Sequence, residues 1–266
     1  MPGMKTSEER EHAAVARWRP AQRWYHPAIA GVVVGTSRFI MTRMNKLEVQ
    51  GRERLDLALA REGRGLLTTS NHVSLFDDPM LTSNFVRGPY KSYRWVSADA
   101  LNFFGSAPKA WLFTAGKSVP IVRGQGLEQP GMHFLRDRLL AGDWVHVFGE
   151  GGRTRDKEAR LAETLKPGLG WLVAEARPLV LPFYHAGMQN VLPVGAVRPR
   201  RGHTVRLLFG ETIDYNDDFV REIGGRAGTG VSGPRLWTAL SADLREHLAA
   251  LERQLRPELA ATPVSA

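Results

Sequence analysis

This sequence predicts an α/β fold, a single domain whose largely parallel central sheet is flanked by helices. Seven short apolar segments rich in β-branched residues recur along the chain, and segments with helical spacing lie between most of them. No internal repeat or Pro/Gly/Ser-rich linker divides the 266 residues. Strands that alternate with helices in this way form a parallel sheet.

The predicted strands are short runs dominated by apolar and β-branched residues. They are residues 47–49, 66–69, 94–96, 119–122, 144–148, 179–184 and 204–209. Helical spacing appears at Met132, Leu135, Leu139 and Leu140, and again at Leu169, Leu172, Val173 and Ala176. Near the end of the chain, the leucines at positions 236, 240, 244, 248, 251 and 255 predict an amphipathic helix that packs on the sheet.

The composition limits the classes of protein to which the chain can belong. It has 36 Lys and Arg residues, 27 Asp and Glu residues, a net charge of +9 and no Cys. Without cysteine there is no disulfide, no thiolate nucleophile and no Cys-ligated metal. The positive charge indicates a polyanionic neighbour, which can be nucleic acid, an anionic membrane surface or a phosphorylated substrate. Charge alone does not choose among the three.

The N-terminal segment, residues 1–46, has the pattern of a helix that lies in a membrane interface. Its apolar run, residues 28–35, is shorter than the ~20 apolar residues of a spanning helix. Aromatic and basic residues flank this run: Trp18, Arg19, Arg23, Trp24 and Tyr25 before it, and Arg38, Arg43 and Lys46 after it. Such flanks are typical of interfacial helices. We therefore expect residues 1–46 to associate with a membrane, the alternative being a buried N-terminal helix capped by charges.

A histidine and a carboxylate follow the predicted strand at 66–69. His72 comes just after this strand, and Asp77 lies five residues further on. Asp78 and Pro79 suit an N-cap and a first helical position, so we predict that a helix starts there and leaves Asp77 free to point back. A carboxylate that accepts from one ring nitrogen of His72 lets the other nitrogen remove a proton from a substrate alcohol. The alternative is that this spacing arose by chance.

Two further strand ends carry glycine and positive charge. Residues 150–153 (Glu-Gly-Gly-Arg) follow the strand at 144–148, where glycine lets backbone amides approach an anion and arginine suits a bidentate phosphate contact. Lys117 and Arg123 flank the strand at 119–122. Ligands of open α/β sheets bind beyond the carboxyl ends of the strands. These residues predict a phosphate site beside the base, the alternative being turn glycines with solvated charges.

Four blocks of the chain resemble the motifs of the glycerolipid acyltransferase superfamily in order and spacing. They are His72-x4-Asp77, residues 116–123, residues 148–153 and residues 180–182. Longer stretches are similar to the tafazzin family of phospholipid–lysophospholipid transacylases: NHVSLFDDP (71–79), GKSVPIVRG (116–124), GDWVHVF (142–148) and LPFYHAGMQNVLP (181–193). Two positions depart from the family pattern. Gly149 replaces a usual proline, and Gly152-Arg153 resembles the Glu-Gly-Thr-Arg form of acyl-CoA-dependent relatives, which leaves the acyl donor open.

The resemblance implies both a site and a reaction. His72 would act as general base on a lysophospholipid hydroxyl, with Asp77 orienting it. The implied substrate-binding residues are Asn71, Lys117, Arg123, Glu150, Gly151, Gly152, Arg153 and Pro182. The implied reaction moves fatty acyl chains between phospholipids and lysophospholipids, as in cardiolipin remodelling, and needs no metal or cofactor. An acyl-CoA-dependent lysophosphatidic acid acyltransferase would use the same His and Asp and is the alternative.

The resemblance also implies a domain organisation and a location. Residues 47–258 would form the acyltransferase domain, and residues 259–266 a flexible tail. The expected location is the surface of a membrane, with anionic lipid as the expected partner of the basic N-terminal segment. A bacterial plasma membrane and a mitochondrial membrane fit equally, and the oligomeric state stays open.

Three other classes of function compete with the acyltransferase. A metal hydrolase could use His72, Asp77 and Asp78 with His133, His146 or His185, but no HExxH-type pair places two ligands on one helical face. A nucleic-acid-binding module would explain the charge, but the arginines are scattered and no binding motif is present, so nucleic acid is not an expected partner. A non-enzymatic membrane-surface protein would share the N-terminal segment, and only catalytic turnover separates it from the enzyme.

Overall fold

A computed structural model describes residues 6–156, 158–230 and 232–257. Within these ranges the backbone forms eight strands and ten α-helices. The strands are β1 (Lys46–Gln50), β2 (Leu66–Ser70), β3 (Trp95–Asp99), β4 (Ser118–Ile121), β5 (Trp144–Phe148), β6 (Leu179–Ala186), β7 (Thr204–Phe209) and β8 (Ile213–Asp214). The predicted tail at residues 259–266 lies outside the described residues.

The helices lie between the strands, before β1 and after β8. They are α1 (Ser7–Arg17), α2 (His26–Phe39), α3 (Arg52–Leu59), α4 (Ala100–Phe104), α5 (Ala107–Ala115), α6 (Pro130–Leu140), α7 (Pro167–Ala176), α8 (Met188–Val191), α9 (Asp217–Arg226) and α10 (Pro234–Leu255). Single π-helical turns occur at Ile40–Met44 and Asp78–Thr82, and a 3₁₀ turn at Tyr90–Ser92. Proline stands in the first turn of α2, α5, α6, α7 and α10, where its missing N–H leaves no hydrogen bond unmade.

The described strands form one sheet in the order β1-β7-β6-β2-β5-β3-β4, with β8 paired to β6. β2 is parallel to its neighbours β5 and β6, and β3 is parallel to β4 and β5, so these five strands end at the same edge. β7 and β8 run antiparallel to β6. The prediction of an α/β fold with a largely parallel sheet flanked by helices is confirmed, and each of the seven predicted segments overlaps a strand.

Alternate residues of the buried strands pack into two apolar layers, one on each face of the sheet. Val180 and Tyr184 of β6 face the layer that contains the buried leucines of α10, whereas Leu181 and Phe183 face the layer that contains Leu55 of α3. This period of two is the geometry of a strand that is buried on both faces. The long C-terminal helix therefore covers the sheet as its leucine spacing predicts.

The N-terminal helix α2 is buried along one side and exposed along the other. His26, Ala30 and Ser37 are buried, while the side chains of Val32 and Phe39 are 69% and 57% exposed. α2 packs on α5 and on the turn Asp78–Thr82. The sequence left two expectations for this segment, a helix in a membrane interface and a buried helix. Each describes one side of α2, because one side packs into the fold and the other presents apolar side chains to solvent. Within the described ranges, no helix has the length and apolar character needed to cross a bilayer.

Candidate active site

Loops from three neighbouring strands meet around His72. His72 follows β2, Glu150 follows β5, and His185 lies near the end of β6, the strands on either side of β2. These loops are close in space because parallel strands end at the same edge of the sheet. The sequence predicted that the loops after β2 and β5 contribute to a site, but it did not predict that β6 borders β2.

The side chains of His72 and Asp77 form the predicted pair. His72 Nδ1 lies 2.9 Å from Asp77 Oδ2, and the same oxygen accepts from the backbone amides of Val73 at 2.7 Å and Ser74 at 2.8 Å. Asp77 is fully buried, and His72 keeps part of its ring accessible. A carboxylate can only accept here, so Nδ1 carries the hydrogen and Nε2 has the free lone pair. Nε2 is therefore the atom that can take a proton.

The surroundings of Asp77 keep its carboxylate charged. Burial opposes ionisation, but His185, the hydrogen bond from His72 and the amide of Ser74 outweigh it and hold the pKa of Asp77 below its usual range. An ionised Asp77 favours the tautomer of His72 that carries hydrogen on Nδ1. The carboxylate consequently fixes the orientation of the ring and the nitrogen that carries its hydrogen.

The loop after β5 holds His72 from two further directions. The ring of Phe148 stacks on the imidazole with centroids 4.1 Å apart. The backbone N–H of His72 donates to Glu150 Oε1 at 2.6 Å, and the N–H of Thr154 donates to the His72 carbonyl at 2.8 Å. Ring and backbone of His72 are thus both positioned by residues of β5 and the loop that follows it.

Glu150 binds backbone amides, a role that departs from the prediction that it contacts substrate. Its second carboxylate oxygen, Oε2, accepts from the N–H of Ala162 at 3.2 Å, so each oxygen has a protein partner. Burial raises the pKa of Glu150 to about 7, against the opposing effect of the two amides. Glu150 therefore acts on the site by placing the backbone of His72.

We expect the raised pKa of Glu150 to make the stability of the fold depend on pH. Folded Glu150 stays protonated up to about pH 7, whereas its ordinary pKa is 4.5, so the folded state binds more protons between these values. The free energy of unfolding should therefore fall by on the order of 3 kcal/mol as pH rises across this window. Glu150→Gln should remove that fall, which urea denaturation at both ends of the window measures. Equal pH slopes for the two proteins would contradict the assignment.

Asn71 and His185 link β2 to β6 beneath the pair. Asn71 Nδ2 donates to the His185 carbonyl at 2.9 Å, and the His185 N–H donates to Asn71 Oδ1 at 3.0 Å. His185 Nε2 lies 3.1 Å from the carbonyl of Asn71 and 3.8 Å from Asp77 Oδ2. Asn71, predicted to bind substrate, instead uses both polar atoms of its side chain inside the protein. The sequence suggested His185 only as a ligand of the metal-hydrolase alternative, and not as a neighbour of Asp77.

Arg123 and Arg153 provide positive charge beside the pair. Arg123, which follows β4, forms an ion pair with Asp99 at 3.1 Å and remains 58% exposed. A Cβ placed on Gly152 would lie 3.8 Å from Arg123 Nη1, so the ends of β4 and β5 approach each other there. Gly151 has a φ of +69°, a conformation that favours glycine in this turn. Arg153 forms no hydrogen bond or ion pair with any described side chain and is free to contact an anion.

Two predicted binding residues lie away from the site, and both require a correction. Lys117 precedes β4, at the opposite edge of the sheet, where its buried Nζ donates to the carbonyls of Lys91 and Tyr93 at 2.8 and 2.9 Å. Pro182 is buried in β6 on the face that α10 covers. The ring of Pro182 packs against Gly210, so closely that a Cβ added to this glycine would lie 3.1 Å from it. Neither side chain can reach a substrate at His72.

Asp78 forms a buried ion pair that the sequence did not reveal. Arg94 Nε donates to Asp78 Oδ1 at 2.9 Å, and Arg94 Nη2 contacts Oδ2. The Thr82 hydroxyl also donates to Oδ1 at 2.9 Å. The prediction that Asp78 is a helix N-cap is therefore wrong: Asp77 occupies that position, and the carboxylate of Asp78 faces Arg94. The pair joins the turn Asp78–Thr82 to the start of β3.

Two histidines of the metal-hydrolase alternative have partners other than the pair of His72 and Asp77. His133 pairs with the exposed Glu128, and His146 is buried with Nδ1 3.0 Å from the Thr68 hydroxyl. Burial lowers the pKa of His146 to about 4. In the ranges that the structure describes, no three His, Asp or Glu side chains are grouped so that they could hold a metal ion.

Comparison with known proteins identifies a family and several relatives of this chain. The family model described as Acyltransferase matches residues 46–186, which is more than half of the chain. Tafazzin of Drosophila melanogaster is 35% identical over 74% of this chain and 54% of its own length. N-acylphosphatidylethanolamine synthase of Arabidopsis thaliana is 30% identical, and the alignment covers 70% of each protein. The crystal structure of the 1-acyl-sn-glycerophosphate (LPA) acyltransferase PlsC from Thermotoga maritima has a TM-score of 0.60 at 18% identity, covers 90% of this chain and 83% of PlsC, and shares the fold.

The relatives differ in how much of their length is matched. Taffazin of Dictyostelium discoideum is 34% identical over 59% of this chain and 57% of its own length. Against the two tafazzins, the chain therefore spans little more than half the length of the curated relatives.

Proposed function

The chain belongs to the acyltransferase family, and from this premise we propose that it transfers fatty acyl chains between phospholipids and lysophospholipids. One observation carries the proposal: the ionised Asp77 accepts from His72 Nδ1 and leaves Nε2 as a base at the edge of the sheet where ligands bind. The tafazzin homologues and the motif stretches shared with that family support a transacylase.

The reaction needs one base acting twice. His72 Nε2 takes the proton of a lysophospholipid hydroxyl, and the oxygen attacks the ester carbonyl of a donor phospholipid. When the tetrahedral intermediate collapses, the departing hydroxyl oxygen of the donor takes the proton back from Nε2. The products are a new diacyl phospholipid and a new lysophospholipid, so the same residue serves both directions and no metal or cofactor takes part.

Arg123 and Arg153 recognise the phosphate of the lipids in this proposal. A guanidinium offers a fork of N–H donors that matches phosphate oxygens, and Arg153 has no competing partner among the described residues. The apolar side chains of Leu75 and Phe76, exposed in the turn between His72 and Asp77, are available to acyl chains. In this proposal the two arginines bind the headgroup, and Leu75 and Phe76 contact the acyl chain, at the same edge of the sheet.

The exposed side of α2 supports association of the protein with a membrane surface through residues 1–46. Trp24 is exposed next to Tyr25, whose ring stacks on that of Trp111 in α5. Val32 and Phe39 extend this apolar side along α2. Aromatic rings beside apolar and basic residues are typical of helices in the interface. Residues 47–258 then form the acyltransferase domain, at either a bacterial plasma membrane or a mitochondrial membrane.

An acyl-CoA-dependent lysophosphatidic acid acyltransferase is the second candidate. It is favoured by Gly152-Arg153, which resembles the form found in acyl-CoA-dependent relatives. The catalytic pair would act in the same way, and only the acyl donor would differ. The Arabidopsis relative, whose name specifies synthesis of N-acylphosphatidylethanolamine, adds an amine as a possible acyl acceptor.

We expect the purified protein to transfer acyl groups without CoA. The assay uses liposomes that contain a lysophospholipid and a diacyl phospholipid with labelled chains, and label should appear on the lysophospholipid. With an oxygen ester as donor, the two half-reactions are alike. The equilibrium constant is then close to one, so transfer proceeds without a thioester. Chromatography separates this product from N-acylated phosphatidylethanolamine. Transfer only after addition of acyl-CoA would instead establish the second candidate, and label on the amine would identify an N-acyltransferase.

A further inference from the structure

The loop between α8 and β7, residues 192–203, combines exposed aliphatic side chains with arginines. Val194 and Val197 are 64% and 89% exposed, and the side chains at 198, 200 and 201 are exposed arginines. The N–H of Arg200 donates to the carbonyl of Val191 at 2.7 Å and closes the loop at its base. We propose that this basic loop is a second membrane contact, which binds anionic phospholipid headgroups and inserts its valines between them.

The charge of the basic loop is not balanced within the protein. Several arginines elsewhere on the surface form ion pairs with carboxylates, for example Arg64 with Asp214 and Arg177 with Asp217. In contrast, no described carboxylate forms an ion pair with the arginines at 43, 198, 200 and 201. The sequence explains this, because it has no Asp or Glu from 12 to 47 or from 176 to 210. The loop thus presents a positive surface to which an anionic bilayer is complementary.

The basic loop is joined to the proposed membrane segment. Asn45 Nδ2 donates to the carbonyl of Arg200 at 3.0 Å, and the His203 N–H donates to Asn45 Oδ1 at 3.0 Å. The N–H of Gly202 donates to the carbonyl of Met44 at 2.8 Å. Two acid-free stretches of the sequence are therefore held side by side by hydrogen bonds of the backbone and Asn45.

The basic loop is also joined to the catalytic turn. The hydroxyl of Ser74, between His72 and Asp77, donates to the carbonyl of Leu192 at 3.0 Å. The exposed Leu75 and Phe76 belong to the same turn. A loop bound to headgroups would hold this turn at the depth of the lipid ester bonds. Exposed valines among the arginines favour a bilayer over a nucleic acid, which offers no apolar interior.

The test compares binding of the full-length protein to vesicles by flotation. One variant carries Arg198→Gln, Arg200→Gln and Arg201→Gln, and the matched control carries Arg226→Gln, Arg235→Gln and Arg253→Gln, three exposed arginines of α9 and α10. Each basic residue near an anionic surface contributes about fivefold, so the loop variant should bind vesicles that contain anionic phospholipid ~100-fold more weakly at low salt. The control should bind like the wild type, and Val194→Ser with Val197→Ser should weaken binding to purely zwitterionic vesicles as well.

Three outcomes would overturn the proposal: unchanged vesicle binding by the loop variant, equal losses in loop and control variants, or a loss confined to binding of duplex DNA measured in parallel. Because the proposal rests on the proposed function, acyl transfer is also assayed with substrates dispersed in detergent micelles. The loop variant should keep wild-type activity there. Absence of transfer by the wild type in micelles would refute the enzyme function, and the flotation result would still decide the role of the loop. Val32→Ser with Phe39→Ser tests the contribution of α2 separately.

Discussion

Replacing His72 by alanine should reduce acyl transfer by a factor of about 10²–10⁴, the usual contribution of a general base, and leave the protein folded. The bonds that hold this position in the fold involve its backbone, which donates to Glu150 and accepts from Thr154, so they survive loss of the ring. No other described histidine donates to a buried carboxylate at hydrogen-bonding distance and also keeps its ring accessible. Transfer of labelled chains between lipids in liposomes measures the effect.

Two further variants make this result specific. Asp77→Asn should cause a comparable loss because an amide would donate to Nδ1 and favour the wrong tautomer of His72. His133→Ala removes a half-buried histidine that pairs with Glu128, away from His72, and it should leave activity unchanged. Circular dichroism and urea denaturation check that each variant is folded. Normal turnover by folded His72→Ala protein would disprove the role of His72 as the base.

Replacing Arg94 by methionine should lower the free energy of unfolding by about 3–5 kcal/mol, because it leaves the buried carboxylate of Asp78 without its charged partner. Both side chains of the pair are almost completely enclosed. Urea denaturation gives the change. The double variant Arg94→Met with Asp78→Asn should recover part of the loss, since no unpaired charge remains buried.

The ion pair between Arg221 and Asp218 on α9 is the matched control for that measurement. Its side chains are largely exposed, and Arg221→Met should change stability by less than about 1 kcal/mol. A similar small change for Arg94→Met would show that solvent reaches Asp78. Failure of the double variant to recover would assign the loss to the bond from Arg94 Nη1 to the carbonyl of Gly116.

The fold was predictable because its main signals are local. Short β-branched runs and leucine spacing identified seven strands and the long C-terminal helix. The two-residue strand β8 and the antiparallel direction of β7 were not predicted, because two residues show no period and the direction of a strand depends on its neighbours. Local spacing likewise suggested the pair of His72 and Asp77, which the structure brings to 2.9 Å.

The rest of the site depends on strand order and on which face of the sheet a residue occupies. The position of His185 near Asp77 requires β6 to lie beside β2, and the sequence does not state this order. Lys117 comes just before β4, and it therefore lies at the edge of the sheet opposite the one that carries His72. Pro182 was misassigned because a one-residue difference in a strand turns a side chain to the other face. Such residues need the assembled sheet.

The two backbone hydrogen bonds between His72 and the loop after β5 couple the proposed headgroup site to the proposed base. Glu150 and Thr154, which make these bonds, lie on either side of Arg153 in the sequence. The arginine proposed to bind the phosphate and the imidazole proposed to deprotonate the hydroxyl are therefore held by the same loop. A headgroup that fits Arg153 poorly would tilt the imidazole away from the hydroxyl. Selection among lipids would then be visible as slower turnover of bound molecules, in kcat, and not solely as weaker occupancy.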